Sequence, residues 1–445
     1  MPSPYLGGAA IAVLANLTAV PAVAQEVCSG ATEQIGNLLP ANEPYSLPAV
    51  LEAVRAASPE VQSAALEAVA QGHEAQQAGL WTNPVLSVEA ENFAGDAFGG
   101  ASPLPGYDFA ETTVSIGQTF RLGGKRRAER RAALARAALA EADRDATLRA
   151  LEREAASVFY ELAAAEQAAA LAEEAAVLSG QLADAVGARV EAGKSPGTAL
   201  DRAVAARADA DAAAAAARAQ AEALAFALSS FWGGSEPAAI QTADLLAPIT
   251  LPSPSLVAER VRDHPELRFA EADREARFTE RRAARANAYP DLTATLGVRR
   301  FEGDGTEALV AGVSVPLPLF DRNQGNRRAA AARARGADYR AGTTAARLMG
   351  QAQRALVTAR TTDRRRAALA DEALPAARAA ADAARTGYRA GKFDLTTALD
   401  AQATFIGVQR AVIAAGFAAR DAEADVSALA GLPPFSPTFC QETDR

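Results

Sequence analysis

Two histidines, two cysteines and two methionines in 445 residues leave almost nothing from which a zinc, copper or iron–sulfur centre could be assembled. His73 and His264 sit in no recognisable motif, and no nucleophile–base pair or phosphate-binding loop accompanies them. Most catalytic classes therefore fall away, and neither a cofactor nor a resident metal is expected. Positive charge is in the minority: 45 Lys and Arg against 54 Asp and Glu give a formal charge of -9, with no general footprint for nucleic acid. Beyond the N-terminus no stretch approaches the roughly 18 uncharged apolar residues of a spanning helix, so a membrane, if entered, is entered by strands. The chain is 49% hydrophobic but only 6% aromatic, which excludes wholesale disorder and leaves little bulk for a conventional core.

The first charged residue is Glu26, and the apolar run from Gly7 to Val23 ends in the small-x-small pattern Ala22-Val23-Ala24. That predicts a signal peptide over residues 1–24, cleaved before Gln25, although the usual basic n-region is missing. Export gives the cysteines a meaning. Cys28 and Cys440 near the two ends could form a disulfide in an oxidising periplasm, or Cys28 could be lipidated, although Gln25-Glu26-Val27 lacks the small and apolar residues of a lipoprotein cleavage site.

The strongest feature is an internal duplication. Ser58-Pro59-Glu60 recurs as His264-Pro265-Glu266, and Asn83-Pro84 recurs as Tyr289-Pro290 at the same offset. Val114-Ser115-Ile116 recurs as Val313-Ser314-Val315, and Thr198-Ala199-Leu200-Asp201 as Thr397-Ala398-Leu399-Asp400, again at a shared offset. Two repeats follow, 25–232 and 255–432, with a Pro-, Ser- and Thr-containing linker over 233–254 and a C-terminal tail over 433–445.

Each repeat changes period in the same order. An Ala-rich helical run over Leu47 to Trp81, with Ser58 placed to cap the helix beginning at Pro59, precedes a β-hairpin over 84–121. There Leu86, Val88, Ala90, Val114, Ile116 and Phe120 alternate with polar residues, around a Gly/Pro loop from Gly95 to Gly106. The second hairpin, over 291–318, alternates in the same way and turns at Gly303-Asp304-Gly305. A half-buried sheet and a water-filled membrane barrel both fit such alternation, but strands near ten residues long suit the tilted strands of a barrel. Long helical hairpins over 122–232 and 321–432 then follow, turning at Gly193–Gly197 and Gly391–Asp394, with a kink or break expected at Pro375. About 70 helical residues would reach roughly 105 Å, too long for a globular core. The fold class is thus mainly α with a transmembrane β-barrel. Four strands cannot close a membrane barrel, so oligomerisation is required if the strands lie in the membrane, and three copies would supply twelve.

These residues carry a resemblance. Asn83-Pro84-Val85-Leu86-Ser87-Val88-Glu89 through Asn92-Phe93, Glu111-Thr112-Thr113-Val114-Ser115-Ile116-Gly117-Gln118, Leu122-Gly123-Gly124-Lys125-Arg126 and Val315-Pro316-Leu317-Pro318-Leu319-Phe320-Asp321-Arg322-Asn323-Gln324-Gly325 resemble the TolC-like outer-membrane factor family, in its cobalt–zinc–cadmium heavy-metal efflux subgroup. The resemblance implies a homotrimer whose strands form one barrel in the bacterial outer membrane and whose helices continue as an α-barrel across the periplasm. Its tip meets a periplasmic adaptor and an inner-membrane pump of the resistance–nodulation–division type. Such a conduit is passive and no enzyme. Glu89, Glu91 and Arg299 are the candidates for the barrel lumen, and Gly193, Lys194, Tyr388, Gly391 and Lys392 for the adaptor-contacting tips. Aligning Gly391 with the family glycine puts Asp400 on a gating position, with Thr397 on another where some members carry aspartate and Asp201 equivalent in the first repeat. A channel for drugs or other small molecules, and a periplasmic scaffold or adaptor, are the competing readings.

Overall fold

A computed structural model describes residues 44–93 and 110–432. The predicted signal peptide, Cys28, Cys440, the 95–106 loop and the 433–445 tail lie outside the described residues.

The described residues open with α1 (Leu47–Ala57) and α2 (Pro59–Gln77). Ser46 caps α1, its hydroxyl accepting from the Ala49 N–H at 3.4 Å. Ser58 does not cap α2 as the sequence suggests: its side chain makes no capping bond, and its N–H instead closes α1 on the Val54 carbonyl. The break is made by Pro59, which cannot continue the α1 ladder and disfavours helical backbone at Ser58. His264, the counterpart in the second repeat, does cap, with Nδ1 accepting from the Glu266 N–H at 3.2 Å.

Strands β1 (Val85–Glu91), β2 (Glu111–Phe120), β3 (Leu292–Phe301) and β4 (Glu307–Ser314) form one antiparallel sheet in sequence order. The two repeats meet at β2 and β3, from Glu111 opposite Phe301 to Phe120 opposite Leu292. Register lines up Leu86, Ile116, Leu296 and Ala311 across the sheet, and beside them Val88, Val114, Val298 and Leu309. This apolar face is open: Val88 is 67% and Leu309 75% exposed. Among the described residues β1 and β4 are left as unpaired edges. An open edge cannot stand in hydrocarbon, so a sheet of this kind placed in a membrane would need its edges covered by further strands.

Backbone of positive φ marks the switch from strand to helix. Gly123 (φ +67°) and Gly124 (φ +73°) turn the chain after β2, and a Cβ on Gly123 would lie 2.6 Å from the Tyr289 ring. In the second repeat Asn323 (φ 56°) does the same, its amide donating to the Ala284 carbonyl at 2.8 Å. β4 stops at Ser314, because Pro316 and Pro318 supply no N–H to a ladder.

α3 (Lys125–Glu191) runs unbroken for 67 residues, about 100 Å at 1.5 Å per residue, and returns as α4 (Gly197–Ser230). The second repeat begins with α5 (Pro254–Arg260), a single 3₁₀ turn and α6 (Pro265–Ala286). Its long hairpin is α7 (Gln324–Ala367), α8 (Leu374–Arg389) and α9 (Leu395–Leu429). The break expected at Pro375 is realised as a π-helical turn, Ala368–Ala373, in which the Leu374 N–H reaches back five residues to the Leu369 carbonyl. Widening the helix accommodates the proline ring and its missing donor.

Alanine dominates the buried positions, so large side chains gather in a few places. The main core packs Val50, Leu51 and Val54 of α1 against Phe159, Leu162 and Leu228, with the linker's Ile240 and Leu245 folded over them. Gly416 of α9 permits that approach, since a Cβ there would sit 2.8 Å from the Leu245 carbonyl oxygen. The linker is also tied down by charge. Arg420 donates to the Asp244 and Ala247 carbonyls at 3.0 and 3.1 Å, and Glu423 accepts the Thr250 N–H at 2.9 Å. Burial pushes the Glu423 carboxyl above its ordinary range against the pull of these partners. No helix among the described residues is long and apolar enough to cross a membrane.

Candidate functional site

Two places collect the polar residues a conduit would use: the sheet face opposite the apolar stripe, and the turns at the far end of the helical hairpins. Alternation along each strand puts Glu89 and Glu91 of β1, Glu111 and Thr113 of β2 and Arg299 of β3 on the polar face. Arg299 gathers the group. Its guanidinium pairs with Glu111 at 2.8 Å and Glu91 at 3.1 Å, and its Nε donates to the Thr113 hydroxyl at 3.0 Å. Glu89 lies opposite Thr113 in the register, and among the described residues no ion pair engages it. The sequence reading named Glu89, Glu91 and Arg299 but missed Glu111. Its parity with Thr113 and Ser115 was visible, whereas its place across from Arg299 depended on the pairing of the two repeats.

At the far end, both turns are built from the same glycine. Gly193 (φ +67°) follows α3, with its N–H bonded to the Val190 carbonyl and that of Lys194 to the Arg189 carbonyl at 2.8 Å. Gly391 (φ +72°) follows α8 in the same manner, with Lys392 bonded to the Gly387 carbonyl at 2.8 Å. A left-handed residue closing a helix in this way satisfies carbonyls that would otherwise be orphaned. Gly193, Lys194, Gly391 and Lys392 are all exposed.

Tyr388 is not a surface residue of its turn. It is buried against Ala183 and Val186 of α3, Ala203 of α4 and Ala398 of α9, and the Arg189 guanidinium lies 5.2 Å from its ring centroid. The second turn is thereby pinned to the first hairpin. Beneath it Gly387 makes room for the Phe393 ring, which a Cβ at that position would overlap.

The three proposed gating positions behave differently. Asp201 and Asp400 are exposed on the second turns of α4 and α9, and no ion pair among the described residues engages either. Thr397 is committed locally: Asp394 caps α9 by accepting the Thr397 N–H at 2.9 Å and its hydroxyl at 2.5 Å. Those bonds hold the Asp394 carboxyl below its ordinary range. The first repeat has Pro196 at that cap, which makes no side-chain bond. Among the described residues no group of three or more His, Cys, Asp or Glu side chains is placed to hold a metal ion.

The model of the family described as outer membrane efflux protein matches residues 50–234 and 257–432 of this chain. The cobalt-zinc-cadmium resistance protein CzcC of Cupriavidus metallidurans is 30% identical over 302 residues, spanning 66% of this chain and 70% of that protein. The nickel and cobalt resistance protein CnrC of the same organism is 33% identical over 302 residues, spanning 67% and 70%. In fold, the chain superposes on the CmeC outer membrane channel of Campylobacter jejuni with a TM-score of 0.73 at 15% identity, covering 89% of this chain and 91% of that one.

Proposed function

Because this chain belongs to the outer membrane efflux protein family, whose members are outer-membrane components of efflux systems rather than enzymes, we propose that it is the passive conduit through which heavy-metal cations of the cobalt, zinc and cadmium kind leave the cell. The observation that carries the cargo is the identity of 30 and 33% to two proteins named for resistance to cobalt, zinc, cadmium and nickel, over 302 residues, more than either repeat alone supplies. The chain catalyses nothing; an inner-membrane pump of the resistance–nodulation–division type and a periplasmic adaptor drive and deliver the cargo.

The assembly is a homotrimer. A four-stranded sheet with an open apolar face and two free edges supports this, since even the smallest membrane barrels need about eight strands. Residues 25–232 and 255–432 act as two repeats joined by the 233–254 linker. Glu89, Glu91 and Arg299, together with Glu111, face the lumen, where three carboxylates against one guanidinium per chain favour cations. Gly193, Lys194, Tyr388, Gly391 and Lys392 mark the tip that meets the adaptor: the glycine turns expose the lysines, while Tyr388 holds the two turns in one arrangement. Asp400 and Asp201 contribute carboxylate rings at the constriction, and Thr397 keeps the Asp400 helix capped through Asp394. A conduit should pass ions without holding them, so exposed carboxylates suit it better than a histidine or cysteine cluster would.

The test is growth of a strain lacking this protein across graded zinc, cobalt, cadmium, nickel and copper, alongside dyes and antibiotics, with complementation by the wild-type chain and by Asp400→Ala. Metal hypersensitivity restored by the wild-type copy is expected, with weaker rescue by Asp400→Ala. Sensitivity confined to dyes and antibiotics would overturn the metal cargo and leave the channel standing.

A further inference from the structure

The open apolar face of the sheet continues past the last strand residue. Phe120, on the same face as Ile116 and Val114, meets Trp81 edge-on with ring centroids 6.4 Å apart and planes at 83°. The Arg126 guanidinium lies 4.3 Å above the Trp81 ring, and its Nη1 donates to the Gly79 carbonyl at 3.3 Å. Arg130, one helical turn further along α3, passes the same glycine: a Cβ on Gly79 would lie 3.1 Å from the Arg130 Cδ. Leu80 and Trp81 are 56% and 61% exposed. Among the described residues neither arginine has a carboxylate at ion-pair distance, in a chain where acids outnumber bases 54 to 45. Their neighbours do pair, Arg121 with Glu129 and Lys125 with Asp291.

This cluster stands where the strands hand over to the periplasmic helices, at the boundary between hydrocarbon and water. An indole settles at such a boundary because one edge is apolar and the other wet. Arginine just beyond it reaches the headgroup layer, and its planar fork matches phosphate oxygens in pairs. We propose that Trp81, Arg126 and Arg130 form a binding site for an anionic phospholipid headgroup of the periplasmic leaflet. Two unpaired guanidiniums take the phosphate, Trp81 packs against the glycerol end of the acyl chains, and the neighbouring carboxylate, Glu129, is already engaged by Arg121 rather than free to hold the ammonium of a zwitterionic lipid. Arg126 is preorganised, being stacked on the indole and tethered to Gly79, so little side-chain freedom is lost on binding. The inference rests on the membrane placement of the sheet.

The chain carries its own reporter. It has two tryptophans, and Trp232 is buried at 6% exposure, so Trp232→Phe leaves Trp81 as the sole exposed indole. The full-length mature protein in phosphatidylcholine bilayers, with a small fraction of brominated phosphatidylglycerol or brominated phosphatidylcholine, reads lipid contact as quenching. A preference for brominated phosphatidylglycerol of roughly thirtyfold is expected, from two basic residues at an anionic surface. Arg126→Gln/Arg130→Gln should bring it close to parity and Arg127→Gln should leave it unchanged. Arg130 makes no hydrogen bond among the described residues, so Arg130→Gln alone tests the site without disturbing the fold and should lower the preference about fivefold. Added inorganic phosphate should not relieve the quenching; relief would make this a free-anion site and overturn the lipid. Equal quenching by both lipids would overturn the headgroup selectivity while leaving the sheet in the membrane. Absence of quenching by either would place Trp81 against a neighbouring copy or outside the bilayer, and overturn both.

Discussion

Replacing Tyr388 by alanine should loosen the periplasmic end of the channel. The ring fills a small cluster between the two hairpins, 8% exposed, with the Arg189 guanidinium 5.2 Å from its centroid. Truncating a buried aromatic costs about 3 kcal/mol at the low end of the observed range, appropriate here because the surrounding alanines can partly collapse. The lost cation–π contact adds about 0.5 kcal/mol. If the closed arrangement holds this contact and a dilated one does not, about 3 kcal/mol shifts their ratio by more than about a hundredfold, and even a third of that by about fivefold. The assay is single-channel conductance of the purified protein in planar bilayers, where the resting conductance and the open fraction should both rise. Tyr388→Phe keeps the ring and should behave as wild type. Gly387→Ala, which forces the Phe393 ring out of its seat, should move the same way by about 1–3 kcal/mol of strain. A Tyr388→Ala channel with wild-type resting conductance would refute the claim that the junction between the turns restrains the constriction.

His264 predicts a pH dependence of stability. Burial lowers its pKa below the ordinary 6.5, with Arg149, Arg347 and Arg268 adding to the effect and Glu266 opposing it. Its Nδ1 accepts the Glu266 N–H, so the capping form is the neutral imidazole. The folded chain therefore binds this proton less readily than the unfolded one, and the stability it contributes is complete above about pH 6.5 and is lost as the pH falls through the folded value. Between about pH 7.5 and about pH 5 the wild-type Tm should fall more steeply than that of His264→Asn, which retains a capping acceptor without titrating; parallel slopes would rule this out. In the barrel, Arg299→Gln leaves Glu91 and Glu111 without their shared cation. Reversal potentials in a KCl gradient should move toward cation selectivity and return part of the way in Glu91→Gln/Arg299→Gln; a shift toward anions would remove these residues from the conduction path.

Local chemistry wrote much of this architecture legibly. The two-residue period of Leu86-Val88-Ala90 and the proline-free stretch after Leu122 each specify an element whose hydrogen bonds or neighbours are close in sequence. The helix turns at Gly193 and Gly391 and the loop at Gly303-Asp304-Gly305 likewise follow from single residues that tolerate positive φ. Duplication could be read for the same reason, as the order of periods repeats. Pro375 announced a discontinuity, though not its form as a π-helical turn, because a kink, a break and a widened turn all accommodate a missing N–H.

Tertiary structure alone decided which distant groups meet. Periodicity carries no register, so the joining of β2 to β3, and with it the Glu91–Arg299–Glu111 cluster, depended on how the two repeats dock. Tyr388 reads in the sequence as part of an exposed turn, yet its ring is buried in the other hairpin, a contact between residues some two hundred positions apart. Ser58 and His264 occupy equivalent places and each closes the preceding turn with its N–H, yet only the imidazole also caps the helix that follows. The family, the strands and the helices follow from patterns a few residues long; the contacts that hold the conduit in one shape are set by packing between segments that no local pattern relates.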